Sequence, residues 1–239
     1  MASAHLSETA AKAIRAYGGS ALWRAAKHVQ AVVSVSGLAF RLKRRPFFRH
    51  ARVRATIHRP FAVLAPIGRN PGLAGVLDGP HVRLEDEDGR VVAERRDARG
   101  AFRLGRRTLY WDDLDMAYFA NYAFWNYFAL PALLMRDDIA WTELAPGRLT
   151  ARFPPNIPTP CAIQRFRFDP QTGRLMQHDY TAAIISRLAT AAHVVLEHAV
   201  NADGVPYPSA RRVTPRGPGG VPMPGPILIH IAVHDFRLT

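Results

Sequence analysis

The sequence predicts an α+β fold, a curved antiparallel sheet or open barrel around one central ring-rich helix, with a further helix at the N-terminus. Three observations predict it. Strand-like alternation recurs at short intervals in two blocks, 32–95 and 139–238, as expected of antiparallel strands joined by turns. Between the blocks lies one long aromatic segment at helical spacing, "WDDLDMAYFANYAFWNYFAL" (111–130). The chain has 239 residues, 48% of them hydrophobic, enough to bury a sizeable core. No fixed-period repeat and no clear linker divides it, so residues 1–239 read as one domain, with disorder expected over 1–6.

Taken in order, residues 7–28 read as helix, with Ser7 as N-cap, Ala10, Ile14 and Tyr17 as its apolar stripe, and an interruption at Gly18-Gly19. "VVSVSGLAFRL" (32–42) reads as a strand with Leu38, Phe40 and Leu42 on one face, and "RVRATIH" (52–58) as a half-buried strand. "HVRLEDEDGRVVAER" (81–95) is a hairpin turning at Asp88-Gly89. Its acidic run lacks the ligand spacing of a calcium loop. Asp112 or Asp113 can cap the central helix, where free amides and the dipole favour negative charge. On that helix Leu114, Tyr118, Asn121, Tyr122 and Trp125 share a face. Asn121 and Asn126 need partners if buried, from strand backbone or from a ligand. The second block offers strands at 139–145, 148–153, 162–168, 173–182, 193–200, 209–215 and 227–238. "DPQTG" (169–173) makes a hairpin of the third and fourth, and "RGPGGVPMPGP" (216–226) reads as a mobile loop.

Composition narrows the function classes. The net charge is +13, but Lys12, Lys27 and Lys43 are the only lysines; the other 29 of 32 basic residues are arginine and spread along the chain. That pattern follows from GC-rich codon usage without a polyanionic partner. One compact basic stretch, "RLKRRPFFRH" (41–50), could meet phosphates while Phe47 and Phe48 stack on bases, or be a solvated strand end. No known nucleic-acid signature appears. With Cys161 alone no intrachain disulfide forms, and its place beside prolines at a strand start suits a structural thiol. The N-terminal residues lack a basic stretch followed by an apolar run, which sets a cytoplasmic expectation. The apolar run 117–135 is broken by Asn121, Asn126 and Pro131 and flanked by acids, so it reads as a buried helix and not a transmembrane segment.

"GRLMQHDYTA" (173–182) carries the candidate chemistry. Side chains alternate along a strand, so Met176, His178 and Tyr180 share one face while Asp179 points the other way, toward an arginine. A histidine with a tyrosine in an apolar cavity can serve as proton donor and acceptor. His230, His234 and Phe236 share a face of the last strand, and His193 and His198 lie on opposite faces of theirs. The histidine spacings match no metal set, and no nucleophile elbow, phosphate loop or dinucleotide fingerprint appears, so no metal and no cofactor are expected.

The stretches "AYGGSALWRAAKHVQAVVSVSGLAF", "NYAFWNYFALPALL", "FPPNIPTPCAIQRFRFDPQTGRLMQHDYTA" and "GVPYPSARRVTPRG" resemble an uncharacterised bacterial domain family of unknown function, over nearly the whole chain. Where that family's pattern has a histidine, this chain has Pro160, which removes one group able to ligate or catalyse. The order of elements is also similar to the lipoprotein-carrier (LolA-like) fold. That resemblance implies a strongly curved antiparallel sheet, a half-barrel, wrapped around the 112–130 helix. It places a pocket between the helix and the inner faces of the C-terminal strands.

Three functions follow as expectations. One is binding of a hydrophobic or aromatic small molecule, with Tyr118, Asn121, Tyr122, Trp125, Asn126, Met176, His198 and His234 as ligand-binding candidates. Another is cofactor-independent isomerase, cyclase or lyase chemistry with His178 and Tyr180 as catalytic residues. The third is a basic surface at 41–54 for nucleic acid or a membrane.

Overall fold

The structure, a computed structural model, describes residues 6–103 and 109–239. The expected disorder over 1–6 falls, but for Leu6, outside the described residues. Helix α1 (Glu8–Ala16) starts where Ser7 Oγ accepts the Ala10 amide at 3.3 Å, the N-cap anticipated. After the break at Gly18, α2 spans Gly19–Ala25. His28, expected at the end of this helix, instead opens β1 (His28–Ser36).

The expected strand 32–42 stops at Ser36. Gly37, at φ +135°, turns the chain into a short helix, α3 (Leu38–Leu42). A Cβ at Gly37 would collide with the Leu228 backbone, so glycine is required both by the conformation and by the close approach. Five strands follow: β2 (Phe48–Thr56), β3 (Phe61–Ala65), β4 (Ala74–Asp78), β5 (His81–Glu85) and β6 (Val91–Arg95). The hairpin of β5 and β6 matches expectation; β3 and β4 were not anticipated. Phe48 is buried, and both it and Phe47 set their rings edge-on to Phe40, at 5.4 and 5.8 Å. The buried Phe48 ring is not free to stack on a base, while Phe47 stays half-exposed.

Helix α4 (Asp113–Phe128) is capped by a reciprocal pair. Asp112 Oδ1 accepts the Asp115 amide at 2.8 Å, and Asp115 Oδ2 accepts the Asp112 amide at 3.1 Å. Arg95 then bridges both carboxylates, at 2.8 and 2.7 Å, tying the helix start to β6. A short α5 (Leu130–Leu133) follows. The second block then supplies β7 (Ala140–Ala145), β8 (Arg148–Arg152), β9 (Ile163–Phe168) and β10 (Leu175–Thr181). It ends with β11 (Thr190–Val200), β12 (Pro206–Pro215) and β13 (Ile229–Leu238).

Among the described residues thirteen strands join one open sheet, in the order β6-β5-β4-β3-β2-β1-β13-β12-β11-β10-β9-β8-β7. Every pairing is antiparallel. Each strand lies beside its sequence neighbour except at the centre, where β1 pairs with β13. The middle of the chain must therefore pass from one sheet edge, β6, to the other, β7, and α4 lies on that path. A flat sheet of this width would be roughly 58 Å across at about 4.8 Å per strand, and sheets of more than about ten strands curl. Curling into a half-barrel gives α4 a concave bed.

The helix is buried over nearly its whole length because it is apolar on all sides. Its backbone approaches β4 closely, since a Cβ on Gly75 would stand 2.6 Å from Ala117 Cβ. Asn121 Nδ2 donates to the Gly75 carbonyl at 2.9 Å, and Trp125 Nε1 to the Thr56 carbonyl at 2.8 Å. Asn126 Nδ2 reaches the Pro158 carbonyl at 3.0 Å. Among the described residues no helix is long and apolar enough to cross a membrane.

Candidate functional site

The apolar hollow expected between α4 and the C-terminal strands exists, displaced toward one end of the half-barrel. It measures ≈ 500 Å³. One wall is α3 with Trp111, Met116 and Phe119 of the α4 entry; the other is the inner face of β10–β13, with Tyr180, Ala191, Val213 and Ile229. Ile185, Leu188 and Ala189, from the β10–β11 connection, complete it. Polar groups are few: the Tyr180 hydroxyl, Thr190 and Lys43. Lys43 is buried, its ammonium 5.3 Å from the Trp111 ring centre, and desolvation lowers its pKa. Leu42, Leu109 and Leu188 belong to the lining yet are 59%, 73% and 88% exposed, so apolar surface continues from the hollow to the outside.

Behind Tyr180 the same strands form a solid cluster of rings. Tyr180 and Tyr127 share a hydroxyl–hydroxyl bond at 3.1 Å. The His178 ring stacks on Phe166 at 4.3 Å and meets the edge of Tyr127 at 6.0 Å. Gln164 Nε2 donates to the Cys161 carbonyl, so its Oε1 accepts from His178 Nε2, at 2.5 Å. Burial first, and the Arg211 charge second, push the His178 pKa down to about 3. The same two causes hold His193, its cross-strand partner, well below the ordinary range. Burial raises the Tyr180 hydroxyl well above its usual value. Both members of the expected acid–base pair are therefore locked in their neutral forms near neutral pH.

The remaining candidates disperse. Met176 is 52% exposed: an irregularity opposite β9, between Leu175 and Gln177, breaks the alternation and turns it outward. His234 also faces out, stacked on His50 at 4.5 Å and bonded to Ser34 Oγ at 2.9 Å. It parts from Phe236, which points inward, because the β1–β13 register shifts between Val233 and Asp235. His198 bonds the Tyr17 hydroxyl at 3.0 Å, away from the hollow, and burial takes its pKa down to about 4. Asn121, Asn126 and Trp125 spend their donors on backbone carbonyls, as above. Tyr118 and Tyr122 meet edge to face, ring centres 5.2 Å apart. Tyr118 also borders a separate ≈ 520 Å³ depression beside Arg99 and the prolines of 154–158. Of the named candidates, Tyr180 alone lines the apolar hollow.

Asp179 points away from the hollow, as expected, and its Oδ2 stands 3.9 Å from Arg167. It is nevertheless buried, because the turn at Pro218–Gly220 covers it; Arg167 Nη2 donates to Gly219 and Gly220 carbonyls at 3.0 and 3.1 Å. Cys161 donates to the Ile163 carbonyl and accepts from the Thr181 amide, and burial raises its pKa, as suits an inert thiol.

Sequence reasoning passed over Met116 and Phe119, which occupy the helix face opposite the one chosen, and Trp111, which precedes the helix. Their signal was present in the spacing 116–119. Arg211 was also missed. It is a 2%-exposed arginine on the inner face of β12, its guanidinium 5.1 Å from the Tyr127 ring centre.

No family model matches the chain, and no curated protein matches it. Solved structures do. A domain from Vibrio parahaemolyticus assigned to outer membrane lipoprotein sorting aligns with a TM-score of 0.52 at 12% identity, covering 97% of this chain and 91% of that one. A LolA superfamily protein from Nitrosomonas europaea aligns with a TM-score of 0.50 at 9% identity, covering 99% and 94%. A DUF1329 family protein from Desulfovibrio piger gives 0.49 at 11% identity, covering 98% and 92%. At such identities the likeness is one of fold. With its open thirteen-strand sheet and enclosed helix, the chain has the LolA-like half-barrel fold.

Proposed function

We propose that the protein binds a hydrophobic small molecule in the hollow between α3, the start of α4 and β10–β13. The observation that carries this reading is the hollow itself: ≈ 500 Å³, walled almost wholly by apolar side chains, in the size range of small-molecule sites. The exposed leucines at its rim supply an apolar path for a water-insoluble guest. The lining is apolar but for Tyr180, Thr190 and Lys43, so the guest is mainly apolar, aromatic rings being welcome against Trp111 and Phe119. Lipoprotein sorting, the role assigned to the Vibrio domain, is one example of such binding.

Binding is favoured over catalysis because His178 does not line the hollow and its ring is committed to Gln164 and Phe166. A general base needs to reach its substrate and to titrate near the working pH. Native mass spectrometry of protein purified from its own host tests the reading. The expected spectrum shows an added mass that leaves on denaturation and is extractable as a lipid or aromatic metabolite. Protein that is empty from its host, and that takes up no hydrophobic probe, overturns it.

A further inference from the structure

Arg211 is a charge without a counter-charge. Among the described residues it forms no ion pair, and its Nε has no hydrogen-bond partner. Rings surround it: Tyr127 under the guanidinium, with Tyr17, Tyr207 and Phe236 around the same small cavity of ≈ 20 Å³. His193, 0% exposed, sits 4.5 Å from the Tyr127 ring, and neither of its nitrogens has a partner. Buried ions are ordinarily paired and hydrogen-bonded, because removing them from water is costly. A ring face offsets part of that cost but supplies no acceptor for the guanidinium hydrogens. The cavity has room for about one water-sized guest. A water there would fill space and leave the charge uncompensated.

We propose that this cavity is a buried anion site, in which Arg211 holds one halide ion. Carboxylates and oxyanions, with three or more heavy atoms, exceed the space of a water-sized guest. Arg211 keeps its charge through the neutral range, since burial lowers its pKa only to about 10. The inference goes beyond the binding reading and stands whether or not the hollow binds anything.

The test is melting temperature against concentration of chloride and bromide, with acetate as a control and ionic strength held by sulfate. A ligand of the native state raises the melting temperature with its concentration. Wild type is expected to gain stability in chloride or bromide and not in acetate, with Arg211→Met losing the response and Arg24→Met, an exposed position, keeping it. No halide-specific rise in wild type, an equal rise in acetate, or a rise that survives in Arg211→Met, overturns it. Should Arg211→Met fail to fold, wild-type crystals grown with bromide decide. An anomalous peak beside the guanidinium supports the site, and its absence overturns it.

Discussion

His178, His193 and His198 are held neutral mainly by burial, so each binds protons less readily folded than unfolded. The sign follows from linkage. Above about pH 6.5 both states are neutral and the groups contribute nothing; below it the unfolded chain takes up protons the folded one refuses. Stability is therefore present above pH 6.5 and falls as pH drops toward about 4 for His198 and about 3 for His178. For fully buried His178 the slope approaches about 1.4 kcal/mol per pH unit. Urea unfolding at pH 7.5, 5.5 and 4.5 measures it, and His178→Gln should flatten the decline; equal stability at all three values contradicts it. Tyr180→Phe, which removes the hydroxyl from Tyr127, should cost about 1 kcal/mol and leave binding of a hydrophobic probe within a few-fold. A loss of binding of orders of magnitude would give the hydroxyl the central role denied it here. Residue types were legible in the sequence, but facing was not always: strand alternation places His178 and Tyr180 inward and Asp179 outward, as observed. It fails at Met176 and His234, where one extra residue reverses the count.

Elements were legible where local chemistry dominates. Asp112 advertises the start of α4 by its position before an apolar run, and "DPQTG" the β9–β10 turn. Asp112→Ala removes a cap and one of Arg95's two partners, and should cost about 2 kcal/mol in urea unfolding; a cost near zero would mean that the helix start is held by packing alone. Strands β3 and β4 were missed because "FAVLA" and "AGVLD" are five residues each, set among prolines and glycines that signal turns. Helix α3 was read as strand because "LAFRL" alternates; the turn at Gly37, forced by the neighbouring Leu228 backbone, overrides that period. The fit of α4 to the sheet depends on Gly75, and Gly75→Val should drive helix and β4 apart, lowering stability by about 2 kcal/mol or more. Retained stability in thermal melts would show that the contact is slack.

At the scale of the molecule, the half-barrel follows from two facts: strand follows strand in each block, and the first strand pairs with the last. Neighbouring hairpins can be read from turns, but the β1–β13 pairing joins residues some two hundred positions apart and leaves no local mark. That pairing decides where the hollow lies, which is why its general place was foreseen while most of its lining was not. Ala191 stands buried in the hollow's wall on β11, and a phenyl ring there would occupy the guest's space with little change to the core. The most direct measurement is a titration of a fluorescent fatty acid into wild type and Ala191→Phe, with melting temperatures recorded for both. The account predicts saturable binding by wild type and an affinity lower by about tenfold or more in the variant, a difference of at least about 1.4 kcal/mol, at unchanged stability. Equal affinity in the two proteins, or no saturable binding in wild type, would contradict it.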